Sequence, residues 1–218
     1  MKFSENDADE WFSRNEEALS NLNDVANDRV ISTVTKYIKH GMDVLEIGCA
    51  NGARLHAFQK LIKANFFGVD LSTRAIETGQ TQFSTLNLSV QNANSLDFQS
   101  ERFDLVILGF FLYLVDREEY EQTISEAIRV LRKEGFIAIL DFDVPRAYSN
   151  VYAHNSALNS HKCDNAQIFL RSGEFTLVEK IMFSHSEASF VKDIDERLSL
   201  QILCREPESL IQKVTSNA

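Results

Sequence analysis

A glycine-bearing turn is the part of this sequence best suited to chemistry. Gly48 and Gly52 flank Cys49, Ala50 and Asn51 directly after a short apolar run, and Asp70 ends the next apolar run, 22 residues after Gly48. Glycines at such a turn let a ligand approach backbone N–H groups at the start of a helix. A carboxylate at the neighbouring strand end accepts hydrogen bonds from ribose hydroxyls. The spacing therefore predicts a site for a nucleoside cofactor.

A second acid, Glu46, indicates which cofactor the turn suits. The dinucleotide fingerprint is G-x-G-x-x-G, whereas this turn reads G-x-A-x-G, with Glu46 two residues before Gly48. A carboxylate repels a pyrophosphate but attracts a sulfonium and an α-ammonium. The turn therefore favours S-adenosylmethionine over a dinucleotide, although a dehydrogenase or a sugar-nucleotide enzyme of Rossmann type stays an alternative.

Alternating strands and helices must position these residues. Apolar runs typical of buried strands lie at residues 44–47, 66–69, 86–90, 103–108 and 136–140. Stretches with apolar residues three and four apart, as in helices, lie between them at 53–62, 73–83 and 117–131. Such a series implies a parallel sheet with helices on both faces. Residues 175–183 and 197–204 predict two longer strands, whose link is too short for a helical crossover, so this pair should be antiparallel.

The remaining segments carry weaker patterns. Residues 143–172 are the least regular part of the chain, and residues 206–218 should form a frayed tail. Trp11 and Arg14 lie on one face of a predicted N-terminal helix. A second helix is predicted before Gly41, because apolar residues recur there at helical spacing, namely Leu22, Ala26, Val30, Val34 and Ile38.

The composition limits the partners. The 218 residues include 22 Lys and Arg against 32 Asp and Glu, a net charge of −10, whereas nucleic-acid binding needs clustered cations. The longest apolar run, at 105–115, is shorter than the ~20 residues of a membrane helix, and the first residues do not resemble a signal peptide. Three separated cysteines fit a reducing compartment. We expect a cytoplasmic monomer or homodimer with a small-molecule partner, no nucleic acid and no membrane.

Four motifs in order make residues 43–141 resemble a class I S-adenosylmethionine-dependent methyltransferase. The first two correspond to residues 46–52, with Ala50 where glycine is commonest, and to residues 67–72. The third, usually G-D-A-x-x-L-P-F, corresponds to residues 91–98, and the fourth to 103–106 followed by Leu112. Residues 129–135 resemble the turn into strand five. The resemblance implies a Rossmann-like α/β fold whose seven-stranded, mostly parallel sheet has an antiparallel last strand.

The resemblance also implies a domain plan for residues 1–218. Residues 1–40 would form a helical lid, 41–141 the cofactor-binding core, 142–205 the acceptor-side segment with the final strand pair, and 206–218 the tail. In similar enzymes a leading helix closes over the cofactor, and Arg14 would pair with the cofactor carboxylate as a fork. An amphipathic helix that only caps the core is the alternative.

S-adenosylmethionine is the implied cofactor, with S-adenosylhomocysteine as its product. The resemblance assigns Asp70 to the ribose hydroxyls, Leu71 to the adenine and Asn92, where relatives usually have aspartate, to the adenine amino group. The residues expected around the cofactor are Trp11, Arg14, Glu46, Gly48, Cys49, Ala50, Gly52, Asp70, Leu71, Asn92, Ala93, Asn94, Leu108 and Gly109.

Methyl transfer from a sulfonium is an in-line displacement, so the protein must above all align the reacting atoms in a dry site. Strand four ends in G-F-F-L at 109–112, not in the N-P-P-Y-type turn of amide and exocyclic-amine methyltransferases. We therefore expect a small-molecule acceptor, methylated on oxygen rather than nitrogen. The W-F-x-R-N opening with E-I-G-C-x-N-G is similar to bacterial enzymes associated with surface-sugar and glycan biosynthesis, which suggests a sugar or glycan precursor.

A hydroxyl acceptor needs a base within hydrogen-bond reach. His154 is the candidate base and His185 the next, while Asp141 would orient the base, bind the acceptor or be a solvated strand end. Tyr113 would line the pocket or serve packing. Asp141 and Asp143 lack the further ligands of a magnesium site, so no metal is expected. An RNA methyltransferase and a non-catalytic S-adenosylmethionine-binding protein remain alternatives.

Overall fold

A computed structural model describes residues 2–20, 28–184 and 189–210 of the chain. Within them, seven strands form one sheet in the order β3-β2-β1-β4-β5-β9-β8. Pairing from β3 to β5 is parallel, β9 runs antiparallel to β5, and β8 runs antiparallel to β9. The strands are β1 (Asp43–Ile47), β2 (Asn65–Asp70), β3 (Asn87–Val90), β4 (Phe103–Gly109), β5 (Leu131–Phe142), β8 (Phe175–Ser184) and β9 (Arg197–Arg205). The predicted parallel core and the antiparallel last pair are confirmed.

Helices cover both faces of the sheet. They are α1 (Glu5–Ser20), α2 (Arg29–Val34), α3 (Ala53–Leu61), α4 (Thr73–Gln82), α5 (Arg117–Val130) and α6 (Ala166–Arg171). Side chains alternate along β1, so Val44 packs with α2 and α3 while Leu45 and Ile47 pack with α5 and α6. Because both faces of the strand are buried, it reads as a continuous apolar run, and Glu46 is its buried exception.

The second helix is shorter than its apolar spacing predicts. Asp28 caps α2 by accepting a hydrogen bond from the Ile31 backbone N–H at 3.0 Å. The helix ends at Val34, a 3₁₀ turn follows at Thr35–Tyr37, and Ile38 is extended. Leu22 and Ala26 lie outside the described residues.

The segment predicted as least regular contains two ordered elements. An antiparallel hairpin joins β6 (Tyr148–Val151) to β7 (Asn159–Lys162), and α6 follows. The prediction missed the hairpin because β6 is almost wholly exposed and lacks apolar alternation. Strand β5 also begins at Leu131, directly after α5, instead of at residue 136. Of the predicted tail, residues 211–218 lie outside the described part of the chain.

Candidate functional site

The glycine turn between β1 and α3 is built from left-handed backbone. Gly48, Ala50 and Gly52 have φ values of +75°, +49° and +77°. Ala50 adopts this region at a cost of about 1–2 kcal/mol, so the departure from glycine is tolerated. A Cβ added at Gly48 would lie 2.8 Å from Cδ1 of Phe111. The absent side chain therefore leaves room for the Phe111 ring to cover the turn.

Asp70 ties this turn to the end of β2. Its Oδ2 accepts a hydrogen bond from the Ala50 N–H at 2.8 Å, and its Oδ1 accepts one from the Ser72 N–H at 2.9 Å. Burial raises the pKa of the Asp70 carboxyl above its usual value, and these backbone donors oppose the rise. The carboxylate is thus fixed in place where two loops meet.

A cleft opens at the carboxyl ends of the parallel strands. Seven of the fourteen residues predicted for the cofactor line it, namely Trp11, Gly48, Asp70, Leu71, Asn92, Ala93 and Gly109. Other residues that line the cleft were not predicted from the sequence, and they include Phe3, Ala8, Gln91, Phe110, Phe111, Leu114, Val115, Asp116, Glu119 and Thr123. The paired aromatics directly after Gly109 were the available signal for part of this wall.

The other predicted residues lie outside that lining. Leu108 is fully buried in the core, and Cys49 places Sγ 2.7 Å from where a Cβ of Gly68 would lie. Burial also raises the pKa of the Cys49 thiol well above its usual value. The Gly52 position faces Leu86 and Leu88. Ala50 and Asn94 do not line the cleft either. The backbone N–H of Ala50 donates to Asp70. These five residues therefore shape the turn or its surroundings.

Glu46 lies beneath the turn in a buried ion triad. Its Oε1 accepts a hydrogen bond from Nη1 of Arg54, whose Nε donates to Oδ2 of Asp28 at 2.8 Å. The Glu46 Oε2 atom is buried without a hydrogen-bond partner among the described residues. Burial raises the pKa of Glu46, and the Arg54 charge opposes the rise. The sequence analysis identified Glu46 but neither of its partners, which come from other elements.

Helix α1 crosses the cleft from one wall to the other. Ser72 and the Arg74 N–H, at the start of α4, donate to Oδ1 of Asp9 at 2.6 and 3.1 Å. On the other side, Trp11 Nε1 donates to the Tyr113 hydroxyl oxygen at 3.3 Å. Both contacts fix α1 above the cleft.

Arg14 lies on this helix but does not line the cleft. Its Nη2 donates to the Tyr152 hydroxyl oxygen at 3.4 Å, and its Nη1 lies 3.8 Å from Oε2 of Glu10. The structure therefore places Arg14 against Tyr152 and Glu10, and its pairing with a cofactor carboxylate stays a prediction.

Asp141 and Tyr113 lie together at the end of β5. Asp141 is 2% exposed, so the solvated alternative for it is wrong. Its Oδ1 accepts from the Phe142 N–H at 2.7 Å and its Oδ2 from the Tyr113 N–H at 3.3 Å. Burial raises the pKa of Asp141 to about 7. Tyr113 is buried, with its ring 4.9 Å from Phe110 and 5.4 Å from Phe142 between centroids.

His154 stands apart from this pair. Its imidazole is exposed and packs edge-on against Tyr152, with ring centroids 5.3 Å apart. The structure does not bring it to Asp141, whose oxygens both accept backbone N–H groups. His185 lies outside the described residues. Asp143, the other acid weighed for a metal, accepts from the Ser199 hydroxyl and lies against the Lys180 ammonium, each at 2.6 Å.

None of the helices in the described part of the chain combines the length and the apolar character that crossing a membrane requires.

The structure is that of a Rossmann-like α/β protein with a cleft at the carboxyl ends of its parallel strands. Residues 44–135 match the family described as a methyltransferase domain. The ribosomal protein L11 methyltransferase of Dictyoglomus thermophilum is 27% identical over 107 residues, which cover 48% of this chain and 34% of that protein. The ubiquinone/menaquinone biosynthesis C-methyltransferase UbiE of Campylobacter jejuni is 25% identical over 112 residues, 49% of this chain and 47% of that protein. The chain thus spans less than half the length of these two curated relatives.

A solved structure shares the fold over almost the whole chain. It is the 1,6-didemethyltoxoflavin-N1-methyltransferase of Burkholderia thailandensis, bound to 1,6-didemethyltoxoflavin and S-adenosylhomocysteine, with a TM-score of 0.71 and 13% identity. The match covers 93% of this chain and 87% of that one. The sequence similarity over residues 44–135 is thus to a methyltransferase domain, and the chain shares its fold with a solved methyltransferase.

Proposed function

We propose that this protein transfers a methyl group from S-adenosylmethionine to a small-molecule acceptor. The observation that carries the proposal is that the glycine turn at Gly48 and the acid Asp70 share one cleft beneath α1. S-adenosylmethionine supplies an electrophilic methyl group on a sulfonium with a thioether leaving group.

The residues present fit this cofactor. Asp70 holds the ribose hydroxyls, and Leu71, Asn92 and Ala93 form the adenine side of the cleft. Asn92 Oδ1 already accepts the Asn94 N–H at 3.2 Å, which orients its amide through a local turn. Gly48 and Gly109 leave backbone open to the methionyl part, and the unpartnered Glu46 Oε2 atom supplies an acceptor for an α-ammonium.

The acceptor we propose is a hydroxyl compound such as a sugar or glycan precursor. Support comes from the G-F-F-L end of β4 and from the histidine at the rim of the aromatic wall. The charged side chains among the described cleft-lining residues are all acidic, namely Asp70, Asp116 and Glu119. Acidic walls disfavour the phosphate contacts that an RNA substrate needs.

The protein around this site is, in our proposal, a single cytoplasmic domain that acts as a monomer or homodimer. Its described cysteines, Cys49, Cys163 and Cys204, are free thiols, which fits a reducing compartment.

Titration calorimetry with S-adenosylhomocysteine tests the cofactor assignment. We expect binding that Asp70→Ala weakens at least tenfold, about 1.4 kcal/mol, because the ribose loses its acceptor. Asp97→Ala removes an exposed acid outside the cleft lining and should bind like the wild type. A wild-type protein that does not bind the ligand would contradict the proposal.

Methyl incorporation tests the acceptor. With labelled S-adenosylmethionine, we expect transfer into hydroxyl-bearing compounds of a metabolite extract and not into total RNA. Transfer into RNA alone would replace the small-molecule assignment with an RNA methyltransferase, and binding without any transfer would favour a non-catalytic cofactor-binding protein.

A further inference from the structure

The ion triad of Asp28, Arg54 and Glu46 joins three separate parts of the fold. Arg54 comes from α3, Glu46 from β1 and Asp28 from the residue that caps α2. Side-chain exposure is 18% for Arg54, 1% for Glu46 and 6% for Asp28. Charges removed from water to this degree are stable only when they are paired with good geometry. Arg54 is the shared partner of both carboxylates.

The triad lies directly behind the cleft. A Cβ added at Gly109, which lines the cleft, would lie 2.7 Å from the Glu46 Oε1 atom and 3.4 Å from Arg54 Nη1. The same point is 3.1 Å from the Gly48 carbonyl oxygen. The carboxylate and the guanidinium therefore pack against Gly109, which we assign, with the neighbouring Gly48, to the methionyl part of the cofactor.

The two oxygens of Glu46 are not equivalent. Arg54 donates to Oε1, whereas Oε2 is buried and has no partner among the described residues. A buried carboxylate oxygen without a donor is costly. Oε1 is the oxygen that packs toward Gly109, and the hydrogen bond from Arg54 to it also fixes the direction of Oε2.

We propose that Arg54 is a positioning residue that holds the Glu46 carboxylate ionised and oriented for the cationic methionyl part of the cofactor, an inference that rests on the proposed function. Arg54 acts through Glu46 and needs no contact of its own with the cofactor. The charged groups that face Glu46 are Arg54 from α3, Asp28 from before α2 and Asp70 from the end of β2. Because Asp28 and Asp70 are acids, Arg54 is the one group of these three that favours the ionised form of Glu46.

The pH dependence of S-adenosylhomocysteine binding distinguishes this role from a structural one. Wild-type affinity should change less than threefold between about pH 6 and pH 8, whereas Arg54→Met should bind at least tenfold more weakly at the lower pH and recover as the pH rises. The recovery follows because Glu46, deprived of its cation, becomes neutral at low pH and ionises only at higher pH. Arg54→Lys keeps the positive charge and should restore most of the wild-type profile.

Two further variants serve as controls. In Glu46→Gln/Arg54→Met the carboxyl group is absent, so binding should be no weaker than in Glu46→Gln and should lack the pH-dependent recovery. Lys60→Met removes an exposed cation from the same helix as Arg54, outside the triad and the cleft lining, so its affinity should stay within threefold of the wild type. Circular dichroism establishes that each variant is folded.

The outcomes separate the two proposals. If the wild type does not bind S-adenosylhomocysteine, the proposed function fails. If the wild type binds and a folded Arg54→Met loses affinity equally at every pH, or Glu46→Gln binds like the wild type, Arg54 is only a structural cation and this inference alone is overturned.

Discussion

The ionised form of Asp141 is disfavoured at its buried position. It is buried at the end of β5, and its pKa is raised to about 7 because burial outweighs the backbone N–H donors. In the unfolded chain the same group titrates near ~3.9. Between those two values the folded state binds more protons than the unfolded state, so the free energy of unfolding falls as the pH rises.

Asp141→Asn should remove this pH dependence of the free energy of unfolding. We expect the stability of the wild type relative to the variant to fall by up to about 1.4 kcal/mol per pH unit from about pH 5 to pH 7. At the low end the variant should be less stable, since its amide nitrogen cannot accept one of the two backbone N–H groups. Urea unfolding of both proteins across this range measures the difference. Parallel stability curves would contradict the raised pKa.

His154 is the residue we propose as the base, although it lies on the exposed side of Tyr152. His154→Ala should lower turnover of a hydroxyl acceptor at least about a hundredfold, the low end of the ~10²–10⁴ typical of general-base catalysis. Its affinity for S-adenosylhomocysteine should be unchanged, because the imidazole does not line the cofactor cleft. His161→Ala is a matched control from the neighbouring strand β7. Full activity of His154→Ala with the true acceptor would remove His154 from the mechanism.

Helix α1 is the element that we propose as the lid of the cleft. Trp11 lines the cleft, Phe12 is fully buried, and Asp9 accepts two hydrogen bonds from the start of α4. The helix is therefore held by its buried apolar face and by the hydrogen bonds from the start of α4 to Asp9, close to Leu71. In our proposal, a bound cofactor leaves past α1 only when these contacts loosen.

Asp9→Ala should loosen that closure. We expect S-adenosylhomocysteine to dissociate at least about fivefold faster, with the association rate changed by less, because lost contacts act mainly on dissociation. Stopped-flow fluorescence of Trp11, the one tryptophan in the sequence, reports both rates. Glu17→Ala alters an exposed residue of the same helix and should leave both rates unchanged. Equal dissociation rates for the wild type and Asp9→Ala would show that α1 is not a lid but only a cap on the core.

The β6–β7 hairpin is the element that the sequence analysis did not find. Tyr148, Asn150 and Lys162 all donate to Oδ1 of Asp195, at 2.8, 2.9 and 2.7 Å. The hairpin is therefore fixed by polar contacts with the β8–β9 connection and not by an apolar stripe. Hydrophobic periodicity cannot reveal such an element.

At the scale of the whole molecule, seven of the nine strands in the described residues form one continuous sheet with packed layers on both faces. Single domains of this kind unfold cooperatively. With saturating S-adenosylhomocysteine, urea transitions followed by Trp11 fluorescence and by far-ultraviolet circular dichroism should coincide. A fluorescence transition that clearly precedes the other would show that α1 unfolds separately and would contradict the single domain.

The parallel core was predictable because its evidence is local. A strand buried on both faces must be apolar along its length, as 103–108 is, and an amphipathic helix must repeat its apolar residues every three or four positions. The glycine turn and Asp70 were predictable for the same reason, since each sits at the end of its own strand. Their meeting in one cleft follows from adjacent parallel strands.

By itself, the sequence determined the order of strands and helices in the parallel core, the edge of the sheet where the glycine turn and Asp70 meet, and the acids that suit a cationic, ribose-bearing ligand. Only the tertiary structure decided that Arg54 pairs with Glu46, that Asp141 is buried against Tyr113 and that Arg14 reaches Tyr152. The physical reason is that burial and side-chain pairing depend on which surfaces pack together across the fold. The types of the residues and their spacing along the chain do not show directly which of these surfaces pack together.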